Sequence, residues 1–210
     1  MRLLTRSALT LAIAAVLSPA LPAAAAAPTT SPSGTPQSGL LTEKDLPQRY
    51  RQATQDPYAH VFATLFTSDK ACGLALPEQS RRALFVTKDK YALDVETLTE
   101  VVAKTGTARD LVAAAAGLPK RCATFETPEY TIRVTPAVMP RVGDASTALR
   151  VVFWMKAASS PTSYVDVMEA EISVVARRDV SVTVVLLGYY EKHGVVLKTV
   201  TRKAVQKLAV

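Results

Sequence analysis

The side chains able to do covalent or metal chemistry in this chain are few. Its soft donors are two cysteines, Cys72 and Cys122, and two histidines, His60 and His193. Two thiols cannot complete a structural zinc site, which takes four ligands, and neither histidine lies at ligand spacing from a cysteine. A thiol nucleophile needs a neighbouring base, and neither histidine belongs to a recognisable motif. An even cysteine count in an exported chain is instead the pattern of a disulfide. Closing the long loop from Cys72 to Cys122 would stabilise the fold by roughly 4 kcal/mol in the chain-entropy picture. That is comparable with the whole margin of many domains.

Carboxylates offer the other route to catalysis. Glu169 and Glu171 are two apart in a strand-like stretch, so both point to one side, roughly 7 Å from each other. A glycosidase-type acid and base could be built from such a pair. Adjacent arginines at Arg150 and Arg133 favour the plainer reading, a cross-strand ion pair. There is no glycine-rich phosphate loop and no serine in a nucleophile elbow. The sequence therefore predicts no catalytic residues, no metal and no cofactor.

Compartment comes from the N-terminus. "MRLLTRSALTLAIAAVLSPALPAAAAAP" has Arg2 and Arg6, an apolar stretch from Ala8 to Leu17, and small residues before Pro28. This is the layout of a secretory signal peptide, with residues 1–25 removed near Ala25. Its apolar part is shorter than the roughly 20 residues of a membrane span. No cysteine near the cut could take a lipid, so the expectation is a secreted chain with no transmembrane segment after processing. Residues 26–39, rich in Pro, Ser and Thr, read as a flexible linker. Residues 40–210 then form one domain of about 170 residues. Loss of Arg2 and Arg6 lowers the formal net charge from +7 to +5, because no acidic residue precedes Glu43. That balance predicts only a weak pull toward anionic wall polymers or phospholipid head groups. The basic residues are scattered and not interleaved with aromatics, which argues against nucleic acid.

The elements that must position these residues follow from periodicity. Thr42 ahead of "EKD" predicts a short capped turn at the start of the domain. "DPYAHVFATLF" has no clean period. "RALFVT" and "YALDVETLTEVVA" read as strands, with Tyr91, Leu93 and Val95 alternating and a phase slip at Leu98 that suggests a bulge. "TGTARDLVAAAAGLPKRC" reads as a helix capped by Thr107 and loosened by Gly117 and Pro119, with Cys122 just beyond. "YTIRVTP", "STALRVVFWMKAA", "YVDVMEAEISVVA" and "VSVTVVLLGYY" are strands, the last two forming a hairpin around Arg178 and Asp179. Val196, Val200, Ala204 and Leu208 make an apolar stripe on a closing helix. The fold class is α+β: an antiparallel sheet of about five to six strands, helices packed on one face, and one disulfide.

One sheet face would then collect Met168, Ala170, Ile172 and Val174 with Val180, Val182, Val184 and Leu186. The opposite face would carry Arg133, Arg150, Val152, Trp154, Lys156, Val167 and Glu169, with Val185, Leu187 and Tyr189 from the last strand. A plain solvent face rarely spends a tryptophan and several valines on water. Either helices cover it, or it floors a cleft with Arg150, Glu169, Tyr189 and Arg133 around Trp154.

The order of elements resembles the PknH-like extracellular sensor domain of actinobacterial exported proteins and receptor kinases. The likeness is carried by "KACGLAL", "ALDVETLTEVVA", a helix ending in "LPKRCATF", the turn at Gly143 and Asp144, the strand with Arg150, the hairpin and the closing helix. It implies a ligand-sensing module without catalytic residues. It departs from the family in lacking a lipid-attachment cysteine and a second cysteine pair. The expected function is a secreted, non-enzymatic, sensor-like binding domain for an unidentified small-molecule, lipidic or envelope ligand. The rivals are an interaction or structural protein of the cell envelope and, more remotely, a secreted hydrolase.

Overall fold

The computed structural model describes residues 39–67, 72–87, 95–157, 160–189 and 194–208, with only the backbone of 160–166 and 194–195. The expected signal peptide, nearly all of the linker, His193, Tyr91 and Leu93 lie outside the described residues.

All sheet pairings are antiparallel, and the architecture grows from two meanders. The first joins β1 (Tyr50–Gln52), β2 (Ser80–Thr87) and β3 (Thr97–Lys104). The second joins β4 (Thr124–Glu126), β5 (Tyr130–Ala137), β6 (Ala145–Ala157), β7 (Ser160–Arg177) and β8 (Val180–Gly188). β3 pairs with β8, fusing both into one eight-stranded sheet of order β1-β2-β3-β8-β7-β6-β5-β4. Six of these strands fall where period-2 patterning places them. The two beyond the expected count, β1 and β4, have three residues each, too few to display a period.

Between β3 and β4 the chain crosses one face as α2 (Ala108–Arg121), packed on β5 to β8. Ala108, Val112, Ala115 and Leu118 are its buried stripe, and the small alanines let it lie close to the strands. Thr107 occupies the N-cap position but makes no side-chain cap bond there. Its hydroxyl instead lies 2.9 Å from that of Thr105. Gly117 and Pro119 do not end the helix: it runs on to Arg121, whose guanidinium donates to the Ala114 carbonyl at 3.2 Å. The "DPYAHVFATLF" stretch and the threonine after it contain α1 (Ala59–Thr67), which packs Val61, Phe62, Leu65 and Phe66 onto the same core. Cys72, after α1, is bonded to Cys122, the C-cap of α2, with Cα atoms 5.5 Å apart.

Helices cover both faces, not one. On the second face lie α3 (Gly194–Lys207) and the N-terminal segment with its 3₁₀ turn Glu43–Asp45. The cause is visible in β3 and β8, which are buried on both sides along nearly their whole length. A strand of that kind needs cover above and below. α3 buries Leu197, Val200, Thr201, Ala204, Val205 and Leu208, a stripe turned slightly from the expected one, with Val196 only half-buried. Thr42 and Asp45 form the expected capping box, reciprocally bonded.

Two expectations about strand phase fail. The slip at Leu98 is no bulge: β3 keeps a continuous register from Thr97 to Ala103 against β2 and from Thr97 to Lys104 against β8. The irregularity in the sheet lies between β6 and β7 at Met155–Ala157. In β8 the faces are exchanged. Ile172 stands opposite Val185 and Ser173 opposite Val184, so Val185 and Leu187 join Ile172 and Ala170 under α2. Val182, Val184 and Leu186 turn to the α3 side. With both faces of β8 apolar, alternation alone carries no information about which side is which. The Gly143–Asp144 turn is real: Gly143 has φ +69, and a Cβ there would stand 2.5 Å from the Ala176 carbonyl oxygen.

Candidate functional site

β5, β6 and β7 run past the reach of α3, leaving part of the second face uncovered. Arg133 projects from β5, Arg150, Val152 and Trp154 from β6, and Val167, Glu169 and Glu171 from β7. Register places them together: Arg133 opposite Val152, Val152 opposite Glu169, and Trp154 opposite Val167. Four of the five expected ligand-binding residues, Arg133, Arg150, Trp154 and Glu169, therefore share one surface.

Within it the polar groups are organised in pairs. Arg150 reaches diagonally to Glu169, Nε to Oε1 and Nη2 to Oε2, both at 2.6 Å. Its side chain is 54% exposed while that of Glu169 is 14% exposed, so the carboxylate sits low and the guanidinium covers it. Hydrogen bonding to Glu169 raises the Arg150 pKa further above its ordinary value. The Arg133 guanidinium lies over the Trp154 indole, 5.6 Å from the ring centroid. Val152, Trp154 and Val167 are half-buried beside these charges. Lys156 lies on the same side, bonded to Glu126 at 3.0 Å and the Thr127 carbonyl at 2.9 Å.

Tyr189 is not part of this surface. The exchanged phase of β8 carries it to the other face, where its ring meets Tyr58 edge-on at 5.9 Å. His60 is exposed on α1 and stacks on Tyr130 at 6.4 Å. Glu169 and Glu171 do face one way, and Arg150 engages both oxygens of Glu169.

Among the described residues, concavities lie elsewhere. One of about 760 Å³ borders β1 and includes Arg51, Thr54, Asp56 and Val95. Another of about 570 Å³ lies beside the irregularity of β6, lined by His60, Tyr130, Met155 and Lys156. A third, about 420 Å³, adjoins the N-terminal segment at Gly39, Arg81, Val102 and Leu208. None of the three is lined by Arg133, Arg150, Trp154 or Glu169. Among the described residues no three His, Cys, Asp or Glu side chains are grouped to hold a metal ion. No helix among them is long and apolar enough to cross a membrane.

One group with unusual electrostatics escaped the sequence reading. Glu100, in the middle of β3, is fully buried beneath the N-terminal segment. Burial pushes its carboxyl up to about 7, against the opposing pull of the Leu41 N–H and Lys207. The signal was present in "TLTEVVAK", a lone carboxylate inside a run whose neighbours are all buried. Compared with known family models and with curated proteins, the chain matches none.

Proposed function

We propose that this chain is an exported, non-enzymatic binding domain, sensor-like in the manner its element order resembles, and that its ligand lies on the uncovered β5–β7 surface. The observation that carries the reading is the joint placement of Trp154, Val152 and Val167 with Arg133 and the Arg150–Glu169 pair. An apolar strip edged by fixed charges is the composition of a recognition surface, not of an ordinary solvent face. Being built from the side chains of neighbouring strands and open to solvent, this surface suits an extended envelope component. That openness also favours the second reading, an interaction protein of the envelope that docks a protein partner on the same strip.

Trp154 is the only tryptophan in the chain, so it reports directly on its own surface. Native mass spectrometry of the protein secreted by its own host identifies the co-purifying species. Adding that species back to stripped protein is expected to shift the Trp154 emission, and Arg150→Ala is expected to weaken its retention. A species retained equally by the wild type and by the Trp154→Ala and Arg150→Ala variants would end this assignment.

A further inference from the structure

The N-terminal segment Gly39–Leu46 is held against the body by two independent sets of contacts. Leu40, Leu41 and Leu46 are buried in the core that α3 shares with β2, β3 and β8. At one end the Leu41 N–H donates to Oε2 of Glu100 at 2.6 Å. At the other, Lys203 donates to the Asp45 carbonyl at 2.6 Å, and Lys207 meets the Asp45 carboxylate at 2.5 Å. The second set includes the half-accessible Lys207–Asp45 ion pair. Although burial acts to raise the Asp45 pKa, bonds from Lys207 and Thr42 hold it below the usual carboxylate range.

The first set is different in kind. Glu100 is wholly buried, and its Oε1 has no hydrogen-bond partner among the described residues. Its direct strand neighbours, Ala83 and Val184, are apolar. The charged groups that face it are Lys207 from α3, Asp45 from the 3₁₀ turn and Arg81 from β2. Asp45 already engages Lys207, so that cation is shared, and Asp45 itself repels a second carboxylate. A neutral carboxyl accepts the Leu41 N–H on one oxygen and leaves only its own O–H without an acceptor, a smaller penalty than a buried charge. An ionised one has a single N–H donor where buried carboxylates ordinarily require several.

We propose that Glu100 is a proton-dependent latch on the start of the domain: protonated, it stays buried and holds Leu41, and on ionisation it admits water and frees Gly39–Leu41. The Lys203 and Lys207 bonds at Asp45 are made independently of the Leu41 bond, so release stops there and the rest of α3 keeps its place. The response falls near neutrality because burial moves this carboxyl to about 7. The latch acts apart from the β5–β7 surface and holds whether or not that surface binds a ligand.

Amide hydrogen exchange of the full chain tests this, with rates corrected for the intrinsic pH dependence of exchange. Protection at Leu41 is expected to fall by about tenfold or more between about pH 5.5 and about pH 8.5, while protection in β6 and β7 stays constant. Glu100→Gln keeps an acceptor for Leu41 and removes the titration, so its protection should not vary with pH. Lys207→Met removes the shared cation and should move the midpoint upward. Wild-type Leu41 protection that is flat across this range overturns the latch, as does a Glu100→Gln variant that changes as much as the wild type. The wild-type profile alone decides the matter if the glutamine variant does not fold.

Discussion

The two faces of the sheet solve the same burial problem differently. Under α1 and α2 the cover is apolar and covalently tied: Phe153, Ile132 and Val151 are fully buried, and Cys72–Cys122 joins the two helical regions. Under α3 and the N-terminal segment the cover is partial, and polar groups are enclosed with it. Glu100 lies there, and the Ser173 and Thr201 hydroxyls meet at 2.6 Å. The uncovered Arg150–Trp154 surface belongs to this second face as well. One face is filled by apolar cover, and the other retains charge and open area. Apolar packing and accessible charge are thus separated by the thickness of a single sheet.

Breaking the first face should cost most. Cys72→Ser with Cys122→Ser should lower stability by roughly 4 kcal/mol, read as a drop in thermal midpoint that reducing agent reproduces in the wild type. Neighbouring positions on β6 sharpen the contrast, because Phe153 and Trp154 point to opposite sides. Phe153→Ala should cost about 3–5 kcal/mol in chemical denaturation. Trp154→Ala should cost well under half of that while removing whatever binding the surface has. Equal losses at the two sites would erase the distinction between the faces.

The pH response belongs to the second face. Glu100 has a folded-state pKa raised from its ordinary 4.5 to about 7, so the native state binds its proton more tightly than the unfolded chain does. Its contribution is complete below about pH 4.5 and is lost as pH rises through about 7, at most about 3 kcal/mol. A Glu100→Gln variant should lack this limb in denaturation curves taken across that window. The smallest effect is expected at Arg150→Ala. An ion pair whose arginine is more than half exposed contributes about 0–1 kcal/mol. A larger loss would mean that the pair braces β6 against β7.

Much of this arrangement is legible in the residues. The four long strands from Tyr130 onward, the α2 helix, the Thr42 box and the Cys72–Cys122 bond all follow from local pattern and compartment logic. What period-2 reading cannot do is assign a face to a strand that is apolar on both sides, and β8 is such a strand. The information lay in the hairpin instead. Arg177 pairs with Val180 across a two-residue turn, and counting back from there sets Ile172 opposite Val185. That count would have removed Tyr189 from the site. α1 was hidden because "AHVFATLF" is apolar nearly throughout, so its buried and exposed sides differ little in hydropathy. The cover of α3 over only part of its face is a long-range packing outcome with no local signal.

The sheet ends in two very short rims. β1 and β4 have three residues each, and beyond them Pro136 on β5 lacks an N–H while Arg81 and Arg82 stand exposed on β2. β1 covers only Phe85–Thr87 of β2 and β4 only Thr131–Arg133 of β5, so a foreign strand meets exposed arginines along the rest of β2 and the missing N–H of Pro136 along the rest of β5. Both features work against the strand-by-strand accretion that builds fibrils.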